Sequence, residues 1–273
     1  MSPRIDEAMT TPQWTAVVLA GERPGEDNFA SACGVTAKAL IPVGGEPMLS
    51  RVVHVLLTCP RLDRIIILAQ DPDRLLGGDL GWMHEEGRIG TAVSGDGISR
   101  SILAIAGETQ TPFPILLVTA DHPLLTPAMV EHFIGSVGEA DAAVGVVERR
   151  TVEAAYPTTK RTWLRFSDGA FSGANLFALR TPDARRGLEL WSEVERNRKK
   201  ALRLLLHFGP LLALRAITRT ISLERAVQIA GRRSGFDARP VRLPFAEAAI
   251  DVDKLEDLAL AEAILARRPA GGA

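Results

Sequence analysis

Cysteine is scarce in this chain. Cys33 and Cys59 are the only two in 273 residues, and they form no metal-spaced pair. They read as reduced thiols in a cytosolic protein. An excess of charge of either sign is also missing: 32 basic residues face 33 acidic ones, so no general affinity for nucleic acid is implied, although a local cationic pocket stays open. Long apolar runs are absent. The richest stretch, "ALRLLLHFGPLLALRAI", is interrupted by Arg203, His207, Pro210 and Arg215, which excludes a transmembrane segment. The polar, partly acidic start "MSPRIDEAMTTPQ" is not a signal peptide. No internal repeat is visible. Two standard phosphate patterns are missing as well. No Gly-x-Gly-x-x-Gly follows the first strand, which counts against a dinucleotide site, and no Gly-Lys-Ser/Thr occurs, which counts against a P-loop NTPase.

What is present is an ordinary globular mixture, 46% hydrophobic and 24% charged, with ample length for a core. Short apolar runs rich in β-branched residues recur at Trp14–Ala20, Arg64–Gln70, Phe113–Asp121 and Asp141–Glu148. Each reads as a buried strand. Between them, helical spacing covers Glu46–Thr58, with Pro47 placed for a helix start, Gly97–Gly107, and Thr126–Val137, with a Thr N-cap and a proline in the first turn. Alternation of this kind predicts an α/β fold with a mostly parallel, Rossmann-like sheet covered by helices on both faces. "RTWLRFSDGAFSGANLFAL" reads as two strands around Asp168-Gly169. Pro182–Phe236 reads as helical, amphipathic and Arg-rich, with Gly209-Pro210 as a break. The expected organisation is one domain over 13–267 containing a helical insertion at 182–236, with flexible termini at 1–12 and 269–273.

Three places carry chemistry-bearing residues. The first is the long loop after the first strand, "GERPGEDNFASACGVTAK". Ligands of open α/β sheets sit beyond the carboxyl ends of the strands. A glycine-containing loop there can turn backbone N–H groups toward phosphate, and Lys38 can supply a point charge. On spacing alone, a surface loop with a solvated lysine is the commoner outcome. The second is "TADHPLLT". Asp121 stands at a strand end, where it is a natural magnesium ligand or a turn-capping aspartate. His122 beside it has no evident partner and reads as structural. The third is "AAIDVDKLEDL". Asp251 and Asp253 flank one residue and point the same way if extended. Asp253 can complete a metal site, cap the last helix with Glu256, or both. Asp257 is expected on that helix's solvated face.

In this order, "LAG", a lone lysine before "ALIPVGGEPML", "TADHPLLT", "SGANLFAL" and "IDVDKLEDL" resemble the nucleotidyltransferase superfamily. That superfamily includes the molybdenum-cofactor guanylyltransferase-like proteins, methylerythritol-phosphate cytidylyltransferase and the sugar-phosphate nucleotidyltransferases. The resemblance spans roughly Trp14 to Arg267 outside Pro182–Phe236. It departs from the usual opening at Glu22, which replaces the family's second glycine, at Ala37, which replaces the proline before the lysine, and in the greater length of the loop. Arg23 or Gly25 are expected to take over part of the loop's role.

The resemblance implies a glycosyltransferase-A-type sheet and a Mg²⁺-dependent enzyme that uses an NTP and a phosphorylated acceptor and releases pyrophosphate. It implies Lys38, Asp121 and Asp253 as the catalytic set, with Asp121, Asp253 and the weaker candidate Asp251 holding the metal. Leu19, Ala20, Gly21, Glu22, Arg23 and Lys38 would contact the nucleotide. Gly95, Ser99, Arg100 and Ser101 are similar to a segment that cytidylyltransferases use near the base, which tilts the expected nucleotide toward CTP over GTP. Gly173 and Asn175 would touch the acceptor. Lys160 and Arg161 would grip its phosphate, or serve as strand-edge cations that deter aggregation. Two other classes stay open: a nucleotide-sugar glycosyltransferase, for which "DVD" lies unusually near the C-terminus, and a non-catalytic nucleotide-binding relative. The helical stretch, with its basic run at Arg196, Arg198, Lys199 and Lys200, would cover the acceptor, form a homodimer, meet a membrane surface, or add a layer to the sheet.

Overall fold

A computed structural model describes residues 13–22, 28–196 and 210–268. The expected flexible termini, the loop positions Arg23 and Gly25, and the basic run Arg198–Lys200 lie outside these residues, and the side chain of Arg196 is likewise not described. The strands are β1 (Trp14–Leu19), β2 (Pro42–Val43), β3 (Glu46–Pro47), β4 (Leu62–Ala69), β5 (Ile89–Val93), β6 (Ile115–Thr119), β7 (Ala142–Glu148), β8 (Leu164–Phe166), β9 (Gly169–Leu179) and β10 (Ala238–Leu243). Eight of them form one sheet in the order β10-β7-β9-β6-β1-β4-β5, with β8 paired to β9. The β1–β4, β1–β6, β4–β5 and β7–β10 pairings are parallel, and β9 alone runs against its neighbours β6, β7 and β8. The predicted mostly parallel, doubly covered sheet is therefore present.

The continuous apolar strands bury both faces, as the period of two requires. In β1, Ala16 and Val18 join Val52, Leu56, Met129 and Phe133 under the Met48–Thr58 and Pro127–Ser136 helices. Val17 points the other way, among Ile66, Ile102, Leu117 and Leu188, toward the Ile98–Ile105 and Arg185–Arg196 helices. A third cluster packs Ile41, Val43, Met48, Leu124, Ile250, Val252, Ala261 and Ile264 beneath the chain segments that carry Lys38, Asp251 and Asp253. Full burial of such side chains contributes about 1.5–3 kcal/mol each before the entropy cost.

Several expectations change. The helix predicted over Glu46–Thr58 begins at Met48, because Glu46 and Pro47 pair as a short antiparallel ladder with Pro42–Val43, and Pro47 is the N-cap residue. β5 gave no clear sequence signal, since its residues are half-exposed at the sheet edge. The stretch 182–236 is not uniformly helical. Its described helices are a short Pro182–Ala184 turn, Arg185–Arg196, Pro210–Ile217 and Leu223–Arg233. The Arg185–Arg196 helix covers the second face of the sheet, where Trp191 meets Phe177 at 5.8 Å between ring centroids.

Candidate active site

The site is assembled at the carboxyl ends of β1, β4 and β6. The ladder runs one residue past β1: the Ala20 amide donates to the Leu68 carbonyl (3.0 Å), and the Ala120 amide to the Leu19 carbonyl (3.1 Å). Leu19 is half-buried and Ala20 buried, while Gly21 and Glu22 are exposed as the chain leaves the sheet. Gln70, just beyond β4, clasps this exit. Its side-chain amide accepts from the Glu22 N–H (2.9 Å) and donates to the Glu22 carbonyl (2.9 Å). A Cβ at Gly21 would sit 3.2 Å from that amide, so a larger residue here would press on the clasp. Sequence reasoning missed Gln70; the available signal was a lone amide directly after a buried strand. A cavity of about 150 Å³ lies beside the clasp, lined by Ala20, Glu22, Thr36, Ala37, Gln70 and Arg74 among others.

Lys38 sits on a short turn of 3₁₀ helix, Lys38–Leu40, whose neighbours Ala39 and Ile41 are buried. Its Nζ donates to Asp121 Oδ2 and to Asp253 Oδ1, both at 2.5 Å. Burial alone would lower the Lys38 pKa, but Asp121 and Asp253 together hold it above its ordinary value. The two carboxylates thus converge on one point, close enough to share an ion. Asp253 gets there because Ile250 and Val252 point inward, completely buried, and the Val252 amide donates to the Asp121 carbonyl (3.0 Å). The expected capping role of Asp253 is not seen: Lys254 holds the N-cap position of the Leu255–Arg267 helix, with no side-chain cap.

Asp251 faces the same region but is engaged differently. Arg161 Nη1 donates to its Oδ1 (2.6 Å), and Asn175 Nδ2 donates to its Oδ2 (3.2 Å). Burial raises the Asp251 pKa, Asp253 and Asp121 add to the rise, and Arg161 and Asn175 oppose it. Asn175 reaches it from a bulge. Val144 pairs with Phe177 and Val146 with Gly173, so three residues of β9 stand opposite Gly145, and Asn175 adopts φ 52°. Arg161 Nη2 also donates to Asp257 Oδ1 (3.0 Å). Asp257 is buried rather than on the solvated face, because that turn of the helix is laid against Arg161.

The remaining predicted residues divide. Ser101 Oγ accepts from the Gly95 amide (3.0 Å) and donates to the Gly97 carbonyl (2.9 Å), so it shapes the turn instead of facing solvent. Ser99 is fully buried: in the helix starting at Ile98 it lies on the inward side. Gly95 and Arg100 are exposed. Gly173 and Lys160 are exposed as well. The Arg161 side chain is 7% exposed and bound by two carboxylates. His122 is completely buried, and burial pushes its pKa down to about 4 against the pull of Asp121.

No three-residue cluster of His, Cys, Asp or Glu arranged for a metal occurs among the described residues. Two observations nevertheless fit a magnesium ion. Asp121 and Asp253 already converge on a cation, and Asp121 Oδ1 is a buried acceptor without a hydrogen-bond partner. Magnesium characteristically takes one or two protein carboxylates and completes its shell with substrate oxygens and water. Among the described residues no helix is long and apolar enough to cross a membrane.

A parallel sheet that gathers a backbone-lined turn, a lysine and two aspartates at its strand ends defines an α/β enzyme of phosphate chemistry. Residues 16–221 match the MobA-like NTP transferase domain, and the chain belongs to that family. The match is to a nucleotidyltransferase domain. The chain is similar to a hypothetical transferase from Thermus thermophilus: 30% identity, TM-score 0.73, covering 90% of this chain and 99% of that one. It is 27% identical over 177 residues to the bifunctional protein GlmU of Symbiobacterium thermophilum, covering 62% of this chain. The chain spans only 35% of that relative's length. The fold is shared with 4-diphosphocytidyl-2C-methyl-D-erythritol synthase from Anaerococcus prevotii at 12% identity, TM-score 0.55, covering 94% of this chain and 97% of that one.

Proposed function

We propose that the chain transfers a nucleotidyl group, CMP in preference to GMP, from a nucleoside triphosphate to a phosphorylated small molecule or lipid precursor. The observation that carries this reading is the convergence of Asp121 and Asp253 on Lys38 at 2.5 Å each. The preference for CMP rests on the resemblance around Gly95–Ser101. Asp121 and Asp253 would hold Mg²⁺, which supplies charge neutralisation on the triphosphate. Lys38 would turn from the aspartates to the phosphates and stabilise the charge that develops around the α-phosphorus. The backbone of Gly21 and Glu22, fixed by Gln70, would orient the chain of phosphates. An oxygen of the acceptor phosphate attacks the α-phosphorus in line, a new P–O bond forms, the α–β bridging P–O bond breaks, and pyrophosphate leaves. A phosphate nucleophile is already anionic at neutral pH, so the site needs no general base. Lys160, Gly173 and Asn175 remain the proposed acceptor side. A substrate drawn from the nucleoside triphosphate pool would favour a cytoplasmic location.

The test is thermal shift with CTP, GTP, ATP and UTP, with and without Mg²⁺, on the wild type and Asp121→Ala. A ligand at 100 times its Kd adds about 2.7 kcal/mol to the folded state, which gives a rise of several degrees. A magnesium-dependent rise, largest for CTP and lost in the variant, is expected. No rise with any nucleotide would reject the proposal. Pyrophosphate release on turnover separates transfer of this kind from glycosyl transfer or simple binding.

A further inference from the structure

We infer that Arg161 is a positioning residue that limits the metal site to two carboxylates and so makes metal binding depend on the nucleotide. The inference rests on the reading of Asp121 and Asp253 as the metal-holding pair. Four aspartates, 121, 251, 253 and 257, crowd around this corner of the fold, and two cations, Lys38 and Arg161, are hydrogen-bonded among them. Their partnerships do not overlap. Lys38 takes Asp121 and Asp253; Arg161 takes Asp251 and Asp257.

The two cations differ in how firmly they are held. Lys38 has a compact ammonium on a flexible stem that can swing toward phosphate. Arg161 is a planar fork, 7% exposed, spanning two carboxylates with separate nitrogens at 2.6 and 3.0 Å. Both oxygens of Asp251 are engaged, one by Arg161 and one by Asn175. Asp257 is engaged on both sides as well, since its second oxygen lies 3.4 Å from the Asp253 amide. Asp251 sits one residue from Val252 on the same pinned segment as Asp253, and it faces the charges of Asp121 and Asp253. Without Arg161 it would be a third carboxylate at the ion. With Arg161 it is withheld. Two protein carboxylates are too few for tight magnesium binding alone, and triphosphate oxygens must complete the shell. Arg161 thereby keeps the ion arriving with the nucleotide.

The test titrates Mn²⁺ as the probe, by electron paramagnetic resonance of the free ion, alone and with CTP, into the wild type and four variants. Arg161→Met should bind Mn²⁺ alone about tenfold tighter, because Asp251 adds a third charged ligand to the shell. Adding Asp251→Asn to Arg161→Met should reverse that gain. A loss of affinity in Arg161→Met, or a gain that survives Asp251→Asn, would overturn the inference. If Arg161→Met fails to fold, the single variants decide. Asp251→Asn should stay within about threefold of the wild type, since Arg161 already cancels its charge, whereas Asp253→Asn should lose tenfold or more. Equal losses in the two would make Asp251 a ligand and overturn the inference while leaving the metal site standing. Wild-type affinity in Asp253→Asn would reject the metal pair itself, and the role of Arg161 with it.

Discussion

Lys38 meets two carboxylates whose chain positions lie 83 and 215 residues away. Replacing it with methionine removes the point charge proposed to serve the phosphates. The expected result is a fall in pyrophosphate release of about 10²–10³-fold in a coupled assay, the scale seen when one preorganised electrostatic donor is lost. Two neighbouring residues show what burial does to ordinary groups. The His122 pKa is near 4 when folded and 6.5 otherwise. Between those values the unfolded chain binds a proton that the folded chain does not. Stability should therefore fall as pH drops from 6.5 toward 4, by about 3 kcal/mol from this group. Denaturant melts of the wild type and His122→Leu across that range check it: the variant should lose this part of the slope. Cys59, 1% exposed, has its thiol pushed up to about 12, first by burial and then by Glu131, while Cys33 is half-buried at the end of a short helix. A thiol reagent at pH 8 should modify Cys33 in the native protein and reach Cys59 only on unfolding.

At the scale of elements, the bulge in β9 couples packing to the site. Gly145 lies opposite it, and an added Cβ there would sit 3.1 Å from Leu243 Cδ1, 3.2 Å from the Leu176 carbonyl and 3.3 Å from Ala174 Cβ. Gly145→Ala should destabilise by about 1–2 kcal/mol, read as a lower melting temperature, because well-packed strands yield little. What the sequence revealed at this scale follows a clear division. β1, β4, β6 and β7 were readable from runs of Val, Ile and Leu, and the Pro127–Ser136 helix from Thr126, whose hydroxyl accepts from the Met129 amide at 3.3 Å. Lys38, Asp121 and Asp253 were singled out by the order of short motifs in the family resemblance, since spacing alone favoured a solvated lysine. The contacts of Arg161, Gln70 and Asp257 were not readable. Their partners lie 90 and 96, 48, and 96 residues away, and no local pattern announces a long-range hydrogen bond. Asp257 misled for the same reason: helical periodicity alone put it on the outer face.

For the whole molecule, the sheet order makes β1 and β6 central, flanked on both sides and covered on both faces, whereas β5 and β8 are marginal. Hydrogen exchange should be slowest at Val17, Val18, Leu117 and Val118, whose side chains are wholly buried, and should approach global unfolding there. β5 and β8 should exchange through smaller openings, so peptide-level mass spectrometry should rank them well below the centre. The rigid centre is also what holds the two ends of the long loop after β1. One end is clasped at Glu22 by Gln70, and the other is tied at Lys38 by Asp121 and Asp253. Groups anchored in this way take their positions from the sheet and not from the residues strung between them. Natural selection could then lengthen, shorten or rewrite that stretch to suit a new nucleotide without rebuilding the chemistry, which makes this loop the part of the protein where new specificities are most cheaply tried.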